Sequence, residues 1–466
     1  MTLTGRSLVT IDDLSSGEME GVFNLADEMA SDLPAQFEVA RGKIMASLFF
    51  EPSTRTRLSF EAAMNRLGGR VITVADPQAT SLAKGESLAD MARIVGGYAD
   101  IIVIRHPWEG AARVVADYAG IPVINGGDGG HQHPTQTLLD LFTLRKERGS
   151  VHGLKIALWG DLKYGRTIHS LIFGLAKFGA DVVFCPSPGL EVPEHVIKKL
   201  VHEYGGTITK HTARNGRKEA VPIDAMYVTP TSPHQLAMMP GVDLDVELKS
   251  GVDALYVTRP QKERFTAAER DLKKGYPVVD EKLLSERAFR KSVVMHPLPR
   301  VDELAIEVDA DPRSRYFRQA HLGVPVRMAL ISALLGVRPV TTLRDVMPPA
   351  KTDYPTYQHD SAVQCPNPRC VSVQETETKY IKPLFKIVDV DPLTLRCVYC
   401  EHGFEPPFIA SSEWHEGTTL AKKYHRADSH WARKIRPENL IIFGSVAEAE
   451  AKGFRPSRFA AEKTKK

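Results

Sequence analysis

The chain has 466 residues, 43% hydrophobic and 25% charged, with a net charge of +3. At roughly 150 residues per domain this suggests about three domains with sizeable cores, and the composition is ordinary for a soluble globular protein. No run of about 18 apolar residues occurs, and the opening MTLTGRSLVTIDDL has no signal-peptide core, so a cytoplasmic protein with no membrane partner is expected. In chain order, KIMASLFF reads as a buried strand. EPSTRTRLSFEAAMNRLGG follows as a loop and a helix closed by Gly68 and Gly69. VITVAD, ADIIVIRH and IPVINGG are further short strands alternating with helical segments such as SLADMARIVGGY. That alternation predicts a parallel sheet covered on both faces.

A helix over about Thr135 to Arg148 leads into a second unit of the same kind. KIALWGD, DVVFCPS, DALYVTR and SVVMHPL are its strands, and GRTIHSLIFGLAKFG is its first helix. No G-x-G-x-x-G follows any strand, so a dinucleotide fingerprint is absent. DAMYVTP (Asp224–Pro230) nearly repeats DALYVTRP (Asp253–Pro260), either as a duplicated strand or by coincidence among β-rich strings. A helix from about Tyr316 to Leu335 closes this part, and residues 337–362, with four prolines, read as a semi-extended linker.

Five cysteines are present, and Cys365, Cys370, Cys397 and Cys400 fall within 36 residues. C-x4-C, 26 residues, then C-x2-C fits a closed tetrahedral zinc site, which is structural because four thiolates leave no open position. From Ser411 onward there are 12 Lys/Arg and 7 Asp/Glu, so the tail is the only basic part of the chain. A structural or docking role is favoured for it, with nucleic-acid binding through the basic tail as the alternative.

Several candidate residues follow strand ends, where α/β sheets place ligands. Ser53–Arg57 offers a helix N-terminus, hydroxyls and a guanidinium to an anion, with simple N-capping by Ser53 or Thr54 as the alternative. GGDGGHQHPTQ presents His133 and Gln136 at a helix start, where a histidine can donate to a developing oxyanion. Arg166, Arg259, Gln261 and Arg264 each come after a strand, and together they point to an anionic substrate.

In their order, FFEPSTRTRLSFE, TSLAKGES, IRHPWEGA, QHPTQTLLDLF, GDLKYGRT and HPLPRVDEL resemble the catalytic chain of aspartate carbamoyltransferase over about residues 5–336. HPLP (His296–Pro299) favours the aspartate-using branch over the ornithine-using one, which typically has a cysteine in that turn. The resemblance implies two doubly wound parallel-sheet domains, for carbamoyl phosphate (1–149) and aspartate (150–310), with residues 311–336 as a helix returning to the first. It implies carbamoyl transfer to L-aspartate in pyrimidine biosynthesis, without a catalytic cofactor. Ser53, Thr54, Arg55 and Thr56 would hold the phosphate, and Arg105 and His133, with Gln136, the carbamoyl group. Arg166, Arg259 and Gln261 would bind the aspartate carboxylates, and backbone groups at Pro297 and Leu298 the carbamoyl amine, with a cis Leu298–Pro299 bond. Ser81 and Lys84 would reach a neighbouring subunit's site, which requires a homotrimer or a dimer of trimers.

The segment near 223–250 looks longer than in that family and leaves the shape of the aspartate pocket open. CPNPRCVS and LRCVYCEHGF resemble the zinc domain of the same enzyme's regulatory chain, here at 363–410 and fused behind the 337–362 linker, with 411–466 as the tail module. The linker is too short for an effector domain, so no CTP or ATP site of the usual kind is expected. Lys84→Ala is expected to lower turnover by orders of magnitude in an initial-rate assay, and near-normal activity would contradict the shared-site reading.

Overall fold

A computed structural model of the chain describes residues 2–75, 84–163, 165–187, 189–205, 208–210, 219–221, 223–229, 246–248, 251–259, 278–347, 353–357, 362–375, 380–413, 422–430, 432–458 and 460. The first unit is a parallel sheet of β1 (Ile44–Phe49), β2 (Arg70–Val74), β3 (Ile101–His106) and β4 (Val123–Asp128), in the order β2-β1-β3-β4. Its helices are α1 (Ser16–Ser31), α2 (Thr54–Arg66), α3 (Leu88–Gly96), α4 (Ala111–Ala119) and α5 (Pro134–Arg148). Side chains alternate along β1. Met45 and Phe49 enter the core formed with α1, α2 and α5, while Ala46 and Leu48 enter the one beneath α3 and α4. This two-sided burial is why the strand reads as a nearly continuous apolar run, broken only by the buried Ser47.

The second unit contains β5 (Lys155–Gly160), β6 (Asp181–Pro186), β7 (Ile208–Lys210), β9 (Ala225–Thr229), β11 (Ala254–Val257) and β12 (Val293–Met295), in the parallel order β12-β11-β9-β5-β6-β7. Strands β8 (Glu219–Val221) and β10 (Val246–Leu248) pair separately. Helices α6 (Arg166–Lys177), α7 (Glu194–Tyr204) and the short α8 (Glu281–Ser285) belong to this unit. α9 (Tyr316–Leu335) returns to pack on α1, α2 and α5. The near-repeated strings are β9 and β11, adjacent and in register, and Tyr227 faces Tyr256 with ring centroids 4.5 Å apart. The long segment expected near 223–250 lies outside the described residues, apart from β9, β10 and their immediate neighbours.

The start of the expected linker is pinned along α1. Leu343 N–H donates to Gly17 O (3.1 Å), Gly17 N–H to Asp345 Oδ1 (2.9 Å) and Val346 N–H to Ser16 Oγ (2.9 Å). A Cβ at Gly17 would stand 1.9 Å from Leu343 O, so only glycine admits this approach.

Beyond it, α10 (Val371–Gln374) and the antiparallel sheet β13 (Phe385–Val390), β14 (Leu393–Cys397) and β15 (Gly403–Phe404) surround the cysteines. A second sheet is ordered β18-β16-β17-β19, from β16 (Phe408–Ser411), β17 (Lys423–Arg426), β18 (Leu440–Phe443) and β19 (Arg455–Pro456), with α11 (Val446–Ala451) against it. The boundary expected at 410/411 falls inside β16. Ile409 sits in the cysteine core and Ala410 in the next one, so the basic tail shares a strand with the zinc module.

The zinc module lies on the first unit. Glu109 bridges Cys370 through Glu109 N–H to Arg369 O (2.8 Å) and Val371 N–H to Glu109 O (2.9 Å). Val371 and Ile381 enter the core beneath α3 and α4. Gly110, at φ +89°, faces Tyr399 so closely that a Cβ would lie 2.6 Å from the tyrosine Cβ and 2.8 Å from its carbonyl oxygen. Gly110→Ala should therefore cost about 1–3 kcal/mol and loosen the module. A lower Tm and faster proteolysis within residues 337–362 would show it, and an unchanged Tm would contradict it.

Candidate functional site

The first unit's candidates sit at the carboxyl ends of its strands. Ser53 stands at the N-cap of α2, yet its side chain makes no capping hydrogen bond. The amides of that first turn are thus left to another acceptor. Thr56 is buried, Ser53 half-buried, and Thr54 and Arg55 exposed. Arg105, near the end of β3, donates from Nη1 to Gly126 O (3.1 Å), and its Nη2 lies 3.2 Å from Glu51 Oε2. His133 caps α5 and its N–H donates to Ser170 Oγ (2.9 Å). Gly127 brings these two side chains together: at φ +116°, a Cβ there would be 2.9 Å from Arg105 Nη1 and 3.4 Å from His133 Cδ2. Gln136 Nε2 donates to Asp140 Oδ1 (2.8 Å).

In the second unit Arg166 opens α6, and Arg259 follows β11, half-buried. Burial first, and then the charge of Arg259, lower the pKa of Arg55, so the two units bring their arginines into one field. Pro297 and Leu298 follow β12. The Leu298–Pro299 bond is cis and Leu298 has φ +53°. Leu298 N–H donates to His296 Nδ1 (2.8 Å), as Trp108 N–H does to His106 Nδ1 (3.0 Å), so two His-Pro turns use one device. Burial lowers the pKa of both histidines, His106 to about 3, which suits accepting imidazoles. Lys84 is described and exposed. Ser81, Gln261 and Arg264 lie outside the described residues.

Sequence reasoning missed Asp140. It is fully buried and takes hydrogen bonds from Gln136, from Gln319 Nε2 (2.9 Å) and from Tyr256 Oη (3.1 Å), while Gln319 Oε1 accepts from His296 N–H (3.0 Å). One carboxyl thus links α5, α9, β11 and the turn after β12. Its only signal was an acidic residue amid Leu138, Leu139, Leu141 and Phe142, four positions after Gln136.

The four cysteines are buried, and their sulfurs all lie within 4.8 Å of one another. Cys365 and Cys400 are 3.5 Å apart, and Cys370 and Cys397 3.7 Å. Tetrahedral Zn–S bonds of about 2.3 Å separate sulfurs by about 3.8 Å, so the cluster fits that ion.

Next to this cluster, Glu401 reaches both α/β units. Its Oε2 is 3.1 Å from both His131 Nε2 and Gln132 Nε2, and its Oε1 accepts from Lys199 Nζ (2.8 Å), which also pairs with Asp12. Burial opposes the charge on His131, but Asp128 and Glu401 outweigh it and raise its pKa to about 10. A cavity of about 300 Å³ opens along this seam, lined in part by His131, Lys163, His195, Arg369 and His402.

Asp140 makes a testable statement about pH. Burial raises its pKa from 3.8 to about 7, against the hydrogen bonds from its three donors. The unfolded chain loses this proton first, so Asp140 erodes stability as pH rises from 3.8 to about 7, after which the effect levels off. Asp140→Asn should gain Tm relative to the parent at pH 8 but not at pH 4. An equal shift at both would contradict this.

Residues 6–146 match the carbamoyl-phosphate-binding domain of the aspartate/ornithine carbamoyltransferases, and residues 240–334 their Asp/Orn-binding domain. Residues 360–408 match the metal-binding domain of the aspartate carbamoyltransferase regulatory chain. The chain is 48% identical over 340 residues to the aspartate carbamoyltransferase catalytic subunit of Thermococcus gammatolerans, covering 72% of this chain and 100% of that one. It is 45% identical over 337 residues to the one from Thermoplasma acidophilum (72% and 99%). Among solved structures, it resembles the M. jannaschii aspartate transcarbamoylase catalytic subunit (40% identity, TM-score 0.57, 71% and 98% covered). It also resembles the Trypanosoma cruzi aspartate transcarbamoylase in complex with carbamoyl phosphate and aspartate (36%, 0.57, 72% and 98%). Among the described residues, no helix is long and apolar enough to cross a membrane. The chain belongs to the aspartate carbamoyltransferase family and joins that family's catalytic domains to a zinc domain of the regulatory-chain type.

Proposed function

We propose that the protein transfers the carbamoyl group of carbamoyl phosphate to L-aspartate, giving N-carbamoyl-L-aspartate and phosphate, as a cytoplasmic homotrimer or a pair of such trimers. The observation that carries this reading is the meeting of Arg105 and His133 at Gly127, where the two strand ends beside the uncapped start of α2 converge. Ser53, Thr54, Arg55 and Thr56 would hold the phosphate through side chains and first-turn amides. Arg105 and His133 would polarise the carbamoyl carbonyl and stabilise the oxyanion, with Gln136 orienting the group. Arg166, Arg259 and Gln261 would take the two aspartate carboxylates, a task suited to the guanidinium fork. Pro297 and Leu298 would orient the carbamoyl amine, and Ser81 and Lys84 would act in the neighbouring subunit's site.

In this scheme the aspartate nitrogen bonds to the carbamoyl carbon, the bond from that carbon to the phosphate oxygen breaks, and the departing phosphate takes the amine proton. Rate enhancement comes from positioning and electrostatics. No catalytic cofactor enters. The four thiolates would close the zinc coordination sphere, which makes the ion structural.

A carbamoylation assay with aspartate and with ornithine tests the reading, with native mass measured on the same samples. Turnover of aspartate alone by a trimeric species is expected. Turnover of ornithine in its place would overturn it.

A further inference from the structure

We propose that Glu401, on the zinc module, is a positioning residue for His133, acting through Gln132 and Ser170; this rests on the carbamoyl-transfer reading above. Three hydrogen bonds run in series. Gln132 Nε2 donates to Glu401 Oε2 (3.1 Å), Ser170 Oγ donates to Gln132 Oε1 (2.6 Å), and His133 N–H donates to Ser170 Oγ (2.9 Å). Gln132, His133 and Ser170 are all buried, so water does not compete for these bonds. The donor senses agree: the serine hydroxyl accepts from the histidine amide and gives its own proton to the glutamine. Ser170 lies on α6, four residues after Arg166. The series therefore meets the zinc module at one end and ties the loop before α5 to the helix that Arg166 opens.

A second observation concerns the backbone of Glu401. It sits directly after Cys400 at φ +57°, a conformation that glycine adopts without steric penalty and side-chain-bearing residues avoid. Its N–H is held by Cys397 O (3.0 Å). A turn this shape could be made more easily by glycine, yet it carries a carboxylate fixed from three sides by Lys199, His131 and Gln132. Strain of this kind collects where a side chain must be aimed. Docking alone needs only the pairs to His131 and Lys199. The bond to Gln132 is the one that leads to His133.

Gln132→Met separates the two roles, because it leaves Glu401 paired with His131 and Lys199 while cutting the series at its midpoint. In the full-length zinc-loaded protein it should lower kcat about tenfold with KM for aspartate changed less than about threefold, since outer supports of a reacting group typically cost about 10- to 100-fold when lost. Hydrogen exchange at the His133 amide should rise in the same variant. Glu401→Leu should lose at least as much, because it also removes the pairs to His131 and Lys199. Glu401→Gln should recover most of the loss by keeping an oxygen for Gln132, and Glu401→Leu/Gln132→Met should be no slower than the poorer single variant. An unchanged kcat in Gln132→Met, or losses that multiply in the double variant, would overturn the proposal. Should Glu401→Leu fail to fold, Gln132→Met and Glu401→Gln decide by themselves. A parent protein inactive with aspartate would instead overturn the proposed function, whereas an active parent with unaffected variants would overturn this inference alone.

Discussion

Guanidinium groups brought into one field repel one another, and that constraint acts between the two α/β units of this structure. Arg55 and Arg259 come from different units and already feel each other's charge. Arg105 is steadied by Glu51 and by the Gly126 carbonyl. In the proposed reaction a phosphate and a dicarboxylate would add negative charge to this field and so favour binding of both. Two parallel sheets suit the purpose, because each delivers its loops at one edge and each can be aimed at the other.

The neutral groups around the cleft are held by buried polar links. Asp140 gathers Gln136, Gln319 and Tyr256, and through Gln319 it reaches His296 and the turn that contains Leu298. Burial pushes the pKa of this carboxyl up to about 7, so ionising it costs stability while its hydrogen bonds fix four elements at one point.

Central strands such as β1 and β3 were legible because burial on both faces leaves nearly continuous apolar runs, whereas β2 is largely exposed. The cysteine cluster was legible because two close cysteine pairs at that separation suit tetrahedral coordination, whereas packing alone asks for no such spacing. The pairing of β9 with β11 was legible only as a near-repeat, since a sequence records likeness and not adjacency. What stayed hidden depends on residues far apart in the chain. Gly17 gives no hint that it receives Leu343, nor Glu109 that it bridges Cys370. Asp140 and Glu401 look like ordinary acids until their partners are in place. The 410/411 boundary misled because charge composition changes there while the alternation of β16 runs straight through it.

The pinned segment along α1 has one more consequence. Because the zinc module is joined to the surface it covers by a short tether, its association is intramolecular, and its local concentration is set by chain geometry and not by how much protein is present. Occupancy of that seam should then be the same in a dilute sample as in a crowded one. Whatever the module contributes to the cleft becomes a fixed property of each chain and cannot be lost by dissociation of a separate subunit.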